Sequence, residues 1–266
     1  MSIGALSSMN NDPRSVGMGN ATVASASGAE SITHNPAALN KGEKKLGTNV
    51  YYAESESWIG ATNASLTSEI FGLQAGIQVA FLSAGEMEET DSNGDTIGTL
   101  QLNNYSTSLS FAFDPVKTLS VGLTGSLIVE DTTYYREFDH SYTLGALWQM
   151  TGNLKAGVVI QNFIPPANDD PISPRIGLSY TPFKSVLLAY EVEFPFSLNG
   201  TSAVHKFGTE LSGFSDQVKL RGGVDSKLTI SAGMEIAKKN TMGVEFAYQL
   251  KKGLPPSFLF SISKGF

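Results

Sequence analysis

The sequence predicts an all-β fold, a closed antiparallel transmembrane β-barrel of about fourteen strands with an N-terminal plug, and three observations lead to it. Charged residues make up only 16% of the 266 residues, whereas an ordinary soluble domain has roughly 25%. The chain holds 27 Gly, 15 Phe and 9 Tyr, which favour strands and tight turns. From Lys45 onward, apolar residues alternate with small polar residues, and this period places the two kinds on opposite faces of a sheet.

The alternation is clearest in residues 70–82 and 118–130. In these segments Phe71, Val79 and Leu123 lie on the apolar face, opposite Gly, Gln, Ser and Thr. Segments of about 9–12 residues have the length that a tilted strand needs to cross a bilayer. We therefore predict that these apolar residues, with Val244 further along, face lipid.

The connections between strands are alternately short and long. Short turns such as 67–69 and 151–153 separate longer connections at 83–98, 131–139, 163–173, 195–203 and 250–256. Short turns at one end and long loops at the other are typical of outer-membrane barrels. The alternative is a soluble β-sandwich, whose exposed polar face would carry more Lys and Glu than this sequence does.

Residues 1–44 differ from the rest, because they are rich in Ser, Ala, Gly and Asn and alternate little. The lumen of a fourteen-stranded barrel is too wide for its own side chains to fill, so we predict a plug at 1–44 and a barrel at 45–266. Gly17 and Gly19 permit close approach of the backbone, and Asn35 before Pro36 favours an extended or turn conformation that ends a local helix. The alternative is a flexible tail.

The same N-terminal residues resemble a known family. The segment 13–24, followed by 35–39, resembles the opening of the PorV/PorQ family, outer-membrane barrels related to FadL-type transporters. Later short motifs at 161–163, 207–210 and 220–223 follow in the same order. In that group a Gly-Met-Gly type segment precedes an Asn-Pro-Ala motif, and both lie in a plug. The resemblance implies a plug motif made of Gly17, Met18, Gly19, Asn35, Pro36 and Ala37.

The C-terminal residues 258–266 resemble the signal that the outer-membrane assembly machinery recognises. Phe258, Phe260, Ile262 and Phe266 carry this signal, and Lys264, which interrupts the apolar register, can snorkel at a membrane edge. The resemblance implies a bacterial outer-membrane location with the barrel assembly machinery as a partner. Residues 1–6 have neither the basic nor the apolar region of a signal peptide, so we expect any exported form to be mature or truncated.

No residue pattern in the sequence predicts catalysis. The net charge of −7 supplies no basic stripe for nucleic acid, and the absence of Cys excludes disulfides and thiolate ligands. His34, His140 and His205 are too scattered for a metal site. Acidic and basic residues share the inward register, so we predict salt bridges and plug contacts there. These residues are Glu130, Glu191, Glu193, Glu210, Glu235, Glu245, Lys155, Arg175, Lys206, Lys219 and Arg221.

Three functions remain open at this point, and none of them requires an enzyme, a cofactor or a metal. The first is a FadL-like passive uptake channel for hydrophobic or amphipathic small molecules, which the resemblance favours. The second is a PorV/PorQ-like accessory component of type IX protein secretion, and the third is a structural envelope protein. The expected partners are outer-membrane lipid, the assembly machinery and, for the channel, a hydrophobic small-molecule ligand.

Overall fold

The structure, a computed structural model, describes residues 12–41, 45–53, 59–70, 73–164, 172–195, 202–213, 217–237 and 242–265. Fourteen strands of 8 to 21 residues lie within these ranges. Their bounds are β1 Lys45–Ala53, β2 Ile59–Ile70, β3 Leu73–Thr90, β4 Thr96–Val116, β5 Leu119–Thr132, β6 Arg136–Gln149, β7 Leu154–Gln161, β8 Ser173–Phe183, β9 Val186–Glu193, β10 Val204–Gly213, β11 Val218–Asp225, β12 Ile230–Ala237, β13 Met242–Leu250 and β14 Ser257–Gly265.

The strands form one antiparallel sheet that closes on itself. Each strand pairs with its neighbours in the chain, and β1 pairs with both β2 and β14. Val50, for example, lies opposite Thr62 on one side and Phe260 on the other. The prediction of an all-β antiparallel sheet is confirmed.

Small polar side chains face the inside of the ring, and large apolar side chains face outward. On β5, Ser120 and Thr124 are buried, whereas Leu123 is 43% exposed and Leu127 is 55% exposed. This is the reverse of a soluble barrel, in which the apolar face is the buried one. Val79, Leu123 and Val244 lie on the outward register as predicted, and Phe71 lies outside the described residues.

Two predicted loops are strands in the structure. β3 continues to Thr90 and β4 begins at Thr96, so 83–98 is a hairpin and not a loop. The carboxylate of Asp91 accepts hydrogen bonds from the N–H groups of Asn93 (2.8 Å) and Asp95 (3.0 Å) in its turn, where Gly94 has φ +89°. Strands β5 and β6 likewise extend through most of 131–139. Polar residues on both faces hide the alternation in these extensions.

Residues 12–41 form a compact segment inside the ring, which we call the luminal segment. It contains helix α1 (Pro13–Gly17), helix α2 (Ser31–His34) and the 3-10 helices Gly28–Glu30 and Pro36–Lys41. The carboxylate of Asp12 caps α1 by accepting from the N–H (2.8 Å) and the hydroxyl (2.6 Å) of Ser15. The segment contacts strands around the ring, among them β3 to β6 and β11 to β14. No described helix has the length and hydropathy to span a membrane.

Candidate functional site

Glycines on the strands make room for the luminal segment. A β-carbon at Gly157 would lie 2.5 Å from the carbonyl oxygen of Val23, and one at Gly76 would lie 2.8 Å from the side chain of Ile32. Larger residues at these positions would therefore push the segment away from the wall. The glycines in the described strands that contact the segment in this way are Gly76, Gly122, Gly145, Gly157, Gly177, Gly208, Gly223 and Gly233.

The predicted Gly17-Met18-Gly19 motif lies against strands β10 to β12. A β-carbon at Gly17 would lie 3.1 Å from the Cα atom of Gly233. Gly19 has φ +62°, a conformation that favours glycine, and a β-carbon there would lie 2.8 Å from the backbone N of Val224. Met18 between them is fully buried. The motif is thus a tight turn whose backbone contacts the strand backbone directly.

The predicted Asn35-Pro36-Ala37 motif lies against β5 and β6 instead. The side-chain amide of Asn35 donates to the carbonyl oxygens of Val23 (2.6 Å) and Ala146 (3.3 Å), and its oxygen accepts from the N–H of Ala37 (3.1 Å). Asn35 and Ala37 are both fully buried. One side chain therefore connects two parts of the luminal segment to β6. The two motifs do not meet, because they contact different groups of strands.

Arg14 joins the luminal segment to a buried network of charges on β10 to β13. Its Nε atom donates to Glu210 (3.1 Å), and its Nη1 atom donates to the carbonyl oxygen of Ser25 (3.1 Å) and pairs with Glu30. The pair between Arg221 and Glu210 (2.7 Å) extends the network along the wall. Its other members are Lys219, Glu235 and Glu245.

Glu191 on β9 is the second charged anchor, and its side chain is completely buried. One carboxylate oxygen accepts from the backbone N–H groups of Thr22 (2.8 Å) and Val23 (2.9 Å), and the other accepts from Lys206 (3.0 Å). Lys206 also pairs with Glu193 (2.7 Å). The predicted salt bridges of the inward charges are confirmed at these two anchors, where the charges also contact the luminal segment.

Burial alters the titration of the charged groups in the luminal segment. It raises the pKa of Glu30 to about 8, although Arg14 acts in the opposite direction. It lowers the pKa of His34 to about 4, and Arg175 adds to this effect, whereas Asp12 opposes it. His34 is therefore neutral near pH 7. Among the described residues its Nε2 atom has no hydrogen-bond partner.

The C-terminal residues lie on the outer face. Phe258, Phe260 and Ile262 of β14 point outward and are 37%, 42% and 40% exposed, and the ring of Phe258 packs near Tyr248, with 5.4 Å between the ring centroids. Phe266 lies outside the described residues. The role of these residues as an assembly signal stays a prediction.

An apolar groove of about 710 Å³ also lies on the outer face, across β8 to β12. Thr209 and Gly222 are its smallest outward residues, and Tyr190 and Phe207 line it beside them. Among the described residues, no group of three or more His, Asp or Glu side chains is arranged to hold a metal ion.

Comparisons with known proteins establish the fold. No family model matches the sequence, and no curated protein is similar to it in sequence. The toluene transporter TodX of Pseudomonas putida superimposes with a TM-score of 0.77 at 12% identity, over 95% of this chain and 97% of that chain. The CymD monoaromatic hydrocarbon channel gives 0.76 at 16% identity, over 97% and 98%. A Pseudomonas aeruginosa FadL homologue gives 0.66 at 10% identity, over 95% and 97%. At these identities the chains share a fold, and the PorV/PorQ resemblance stays a prediction.

Proposed function

We propose that this protein is a bacterial outer-membrane channel for passive uptake of hydrophobic or amphipathic small molecules. In this proposal residues 45–266 form the transmembrane barrel and residues 1–44 form its plug. The observation that carries it is a ring that is apolar outside and polar inside, with a segment of its own chain within the lumen. Proteins with the same fold include a toluene transporter and a monoaromatic hydrocarbon channel.

The side chains on the outer face are those expected of a surface in contact with lipid. Exposed apolar side chains recur on the outward register of strand after strand, for example Leu109, Leu144, Ile176 and Leu220, each 47–52% exposed. An apolar surface that recurs on the described side chains from β2 to β14 far exceeds the patches of a few hundred Å² found on soluble monomers. Closed strand pairing also satisfies the backbone hydrogen bonds, as hydrocarbon requires.

The anchors of the luminal segment support its role as a plug. Arg14 and the Thr22–Val23 backbone are held by Glu210 and Glu191, while Asn35 is held by β6. Because the strands pair with one another independently of this segment, the barrel can persist when the segment shifts. Solutes would then pass beside or around the displaced segment, while the seated segment keeps the lumen closed.

Uptake by whole cells tests the proposal. The protein is expressed in an outer membrane whose own hydrocarbon channels have been deleted, and entry of labelled ethylbenzene is measured. We expect uptake above that of the empty strain, and altered uptake for Asn35→Ala combined with Pro36→Ala, with folded barrel levels unchanged. The matched control is Asn153→Ala combined with Pro182→Ala, which changes the same residue types outside the luminal segment. Uptake equal to that of the empty strain, before and after the plug substitutions, would refute the channel.

A further inference from the structure

A pair of polar residues lies on the luminal face beyond the luminal segment. The segment reaches β5 at Thr124, whose hydroxyl donates to the carbonyl oxygen of Ile32 (2.9 Å). Asn104 on β4 and Glu130 on β5 lie directly opposite each other, six residues further along each strand than the Ser110–Thr124 pair. At about 3.3 Å per residue this is about 20 Å along the strands, towards the 91–95 turn of the long hairpin.

This pair is buried and incompletely hydrogen-bonded. Asn104 is 1% exposed and Glu130 is 2% exposed. Among the described residues, neither side-chain atom of the Asn104 amide has a hydrogen-bond partner, and neither does Oε2 of Glu130, although Oε1 accepts from the hydroxyl of Tyr135. Buried polar groups are nearly always paired in proteins, because desolvation without a partner costs free energy. A molecule that supplies the missing partners therefore gains binding free energy here.

Aliphatic side chains lie on one side of the pair and acidic side chains on the other. Leu82 lies opposite Asn104 on β3, and Leu102 and Ile128 are the neighbouring inward residues on β4 and β5. All three are buried. On the other side, Glu137 of β6 lies directly opposite Glu130, and the buried Asp139 lies opposite Ile128. The site therefore combines one amide and several carboxyl groups with aliphatic side chains, which matches an uncharged molecule that has a small apolar body and one hydrogen-bonding group.

We infer that Asn104 and Glu130 bind the polar group of a neutral amphipathic molecule, of the class of phenols and alcohols. A hydroxyl donates to Oε2 of Glu130 and accepts from the amide of Asn104, so that one group serves both residues. A hydrocarbon leaves these atoms unpaired, and an anionic carboxylate meets the like charge of Glu130. Because both side chains are buried, neighbouring side chains move apart when the ligand enters. The inference rests on the proposed function, since it names the substrate class that the same lumen admits.

Equilibrium dialysis with the full chain in lipid nanodiscs tests this site, with empty nanodiscs subtracting the lipid partition. The probes share one body and differ in the head group: 4-ethylphenol, ethylbenzene and 4-ethylbenzoate. We expect wild type to bind 4-ethylphenol most tightly. Asn104→Leu should weaken binding of 4-ethylphenol about tenfold, the effect of one hydrogen bond, and leave ethylbenzene within about twofold.

Glu130→Gln keeps the side-chain volume and removes the charge, so binding of 4-ethylbenzoate should rise. Ser108→Ala is the matched control, because Ser108 is a buried inward residue of β4 whose hydroxyl pairs with that of Ser126 (2.7 Å), and it should change none of the three. Heat-modifiable gel migration confirms that each variant is folded. If Asn104→Leu does not fold, the isosteric Glu130→Gln decides the test.

Equal affinity for 4-ethylphenol and ethylbenzene in wild type, or anion binding unchanged in Glu130→Gln, would overturn the inference. These outcomes are separate from failure of the channel. Selective binding in nanodiscs without uptake by cells retains the site and rejects transport. Uptake by cells without head-group selectivity in nanodiscs retains transport and rejects the site.

Discussion

Replacing Glu191 with Gln tests whether one buried carboxylate holds the luminal segment in its position against the wall. The substitution keeps the shape of the side chain and removes its charge. In wild type one oxygen accepts from Thr22 and Val23, and the other accepts from Lys206. Glutamine has a single acceptor oxygen and an NH₂ donor. In one orientation its oxygen accepts from the two backbone N–H groups, and its NH₂ group then faces another donor, the ammonium of Lys206. In the opposite orientation the NH₂ group faces the backbone N–H groups, which are also donors.

The cost follows from these contacts. A hydrogen bond to a charged group contributes about 1.5–3 kcal/mol, and removing one partner of a buried ion pair costs about 3–5 kcal/mol. Lys206 keeps Glu193 at 2.7 Å, whereas Arg175, whose Nη1 atom lies 3.9 Å from Glu191, loses this ion pair. The loss is therefore at least about 3 kcal/mol, the lower end of this range. A loss of about 3 kcal/mol makes local opening of the segment about 100-fold more frequent.

Native-state hydrogen exchange measures this opening directly. The amides of residues 20–26 should exchange about 100-fold faster in Glu191→Gln, while the amides of the paired strands keep their protection. Glu193→Gln is the matched control, because Glu193 lies two residues along on the same face and binds Lys206 and Ser173. Unchanged exchange of residues 20–26 in Glu191→Gln, or equal acceleration in Glu193→Gln, would refute the role of Glu191 as an anchor.

The remaining predictions concern the wall, a glycine and pH. Leu123→Arg on the outward face should lower the free energy of unfolding by about 2–4 kcal/mol, and the luminal Ser126→Arg by clearly less, as measured by urea titration in lipid; equal losses would contradict the assigned faces. Gly145→Val should displace the luminal segment while the barrel remains folded, which exchange protection and heat-modifiable migration report separately. Because the pKa of His34 is lowered from 6.5 to about 4, its contribution to seating is present above pH 6.5 and is lost as the pH falls towards 4. Over that range, the amides of the luminal segment should therefore be more protected in His34→Gln than in wild type. Glu30, with its pKa raised from 4.5 to about 8, acts with the opposite sign and is present in both proteins.

The outward faces could be predicted from the sequence because strand alternation is a local property. A residue at position i shares its face with i+2, whatever lies elsewhere in the chain. That rule identifies Leu123 and Val244 as outward and Glu191 and Glu210 as inward without any knowledge of the partner strands. It fails between Ser83 and Thr90, where β3 is polar on both faces, and so the hairpin there was predicted as a loop.

The residues that position the luminal segment could not be predicted, because the residues they contact lie far away in the sequence. Gly157 is an inward glycine in a strand with ordinary alternation, and only the contact with Val23 explains why no side chain stands there. Glycine recurs on the polar register of many strands, and this recurrence was the one feature of the sequence that indicated close contacts on the inner face. Similarly, the inward direction of Glu210 was predictable, but its pairing with Arg14, 196 residues away in sequence, was not.

The contacts between the luminal segment and the wall indicate which interactions stabilise the segment and which ones position it. Besides its charged contacts, it buries Val16, Met18 and Ile32 against small apolar residues of the wall, among them Ala247, Ala189 and Ala112. Full burial of a side chain of this size contributes about 1.5–3 kcal/mol. Ion pairs such as that of Arg14 with Glu210 contribute little net free energy, because desolvation offsets the attraction. Loss of a single partner is nevertheless costly, since it leaves a buried charge unpaired. Apolar burial therefore stabilises the luminal segment against the wall, and the charged anchors fix where on the wall it lies.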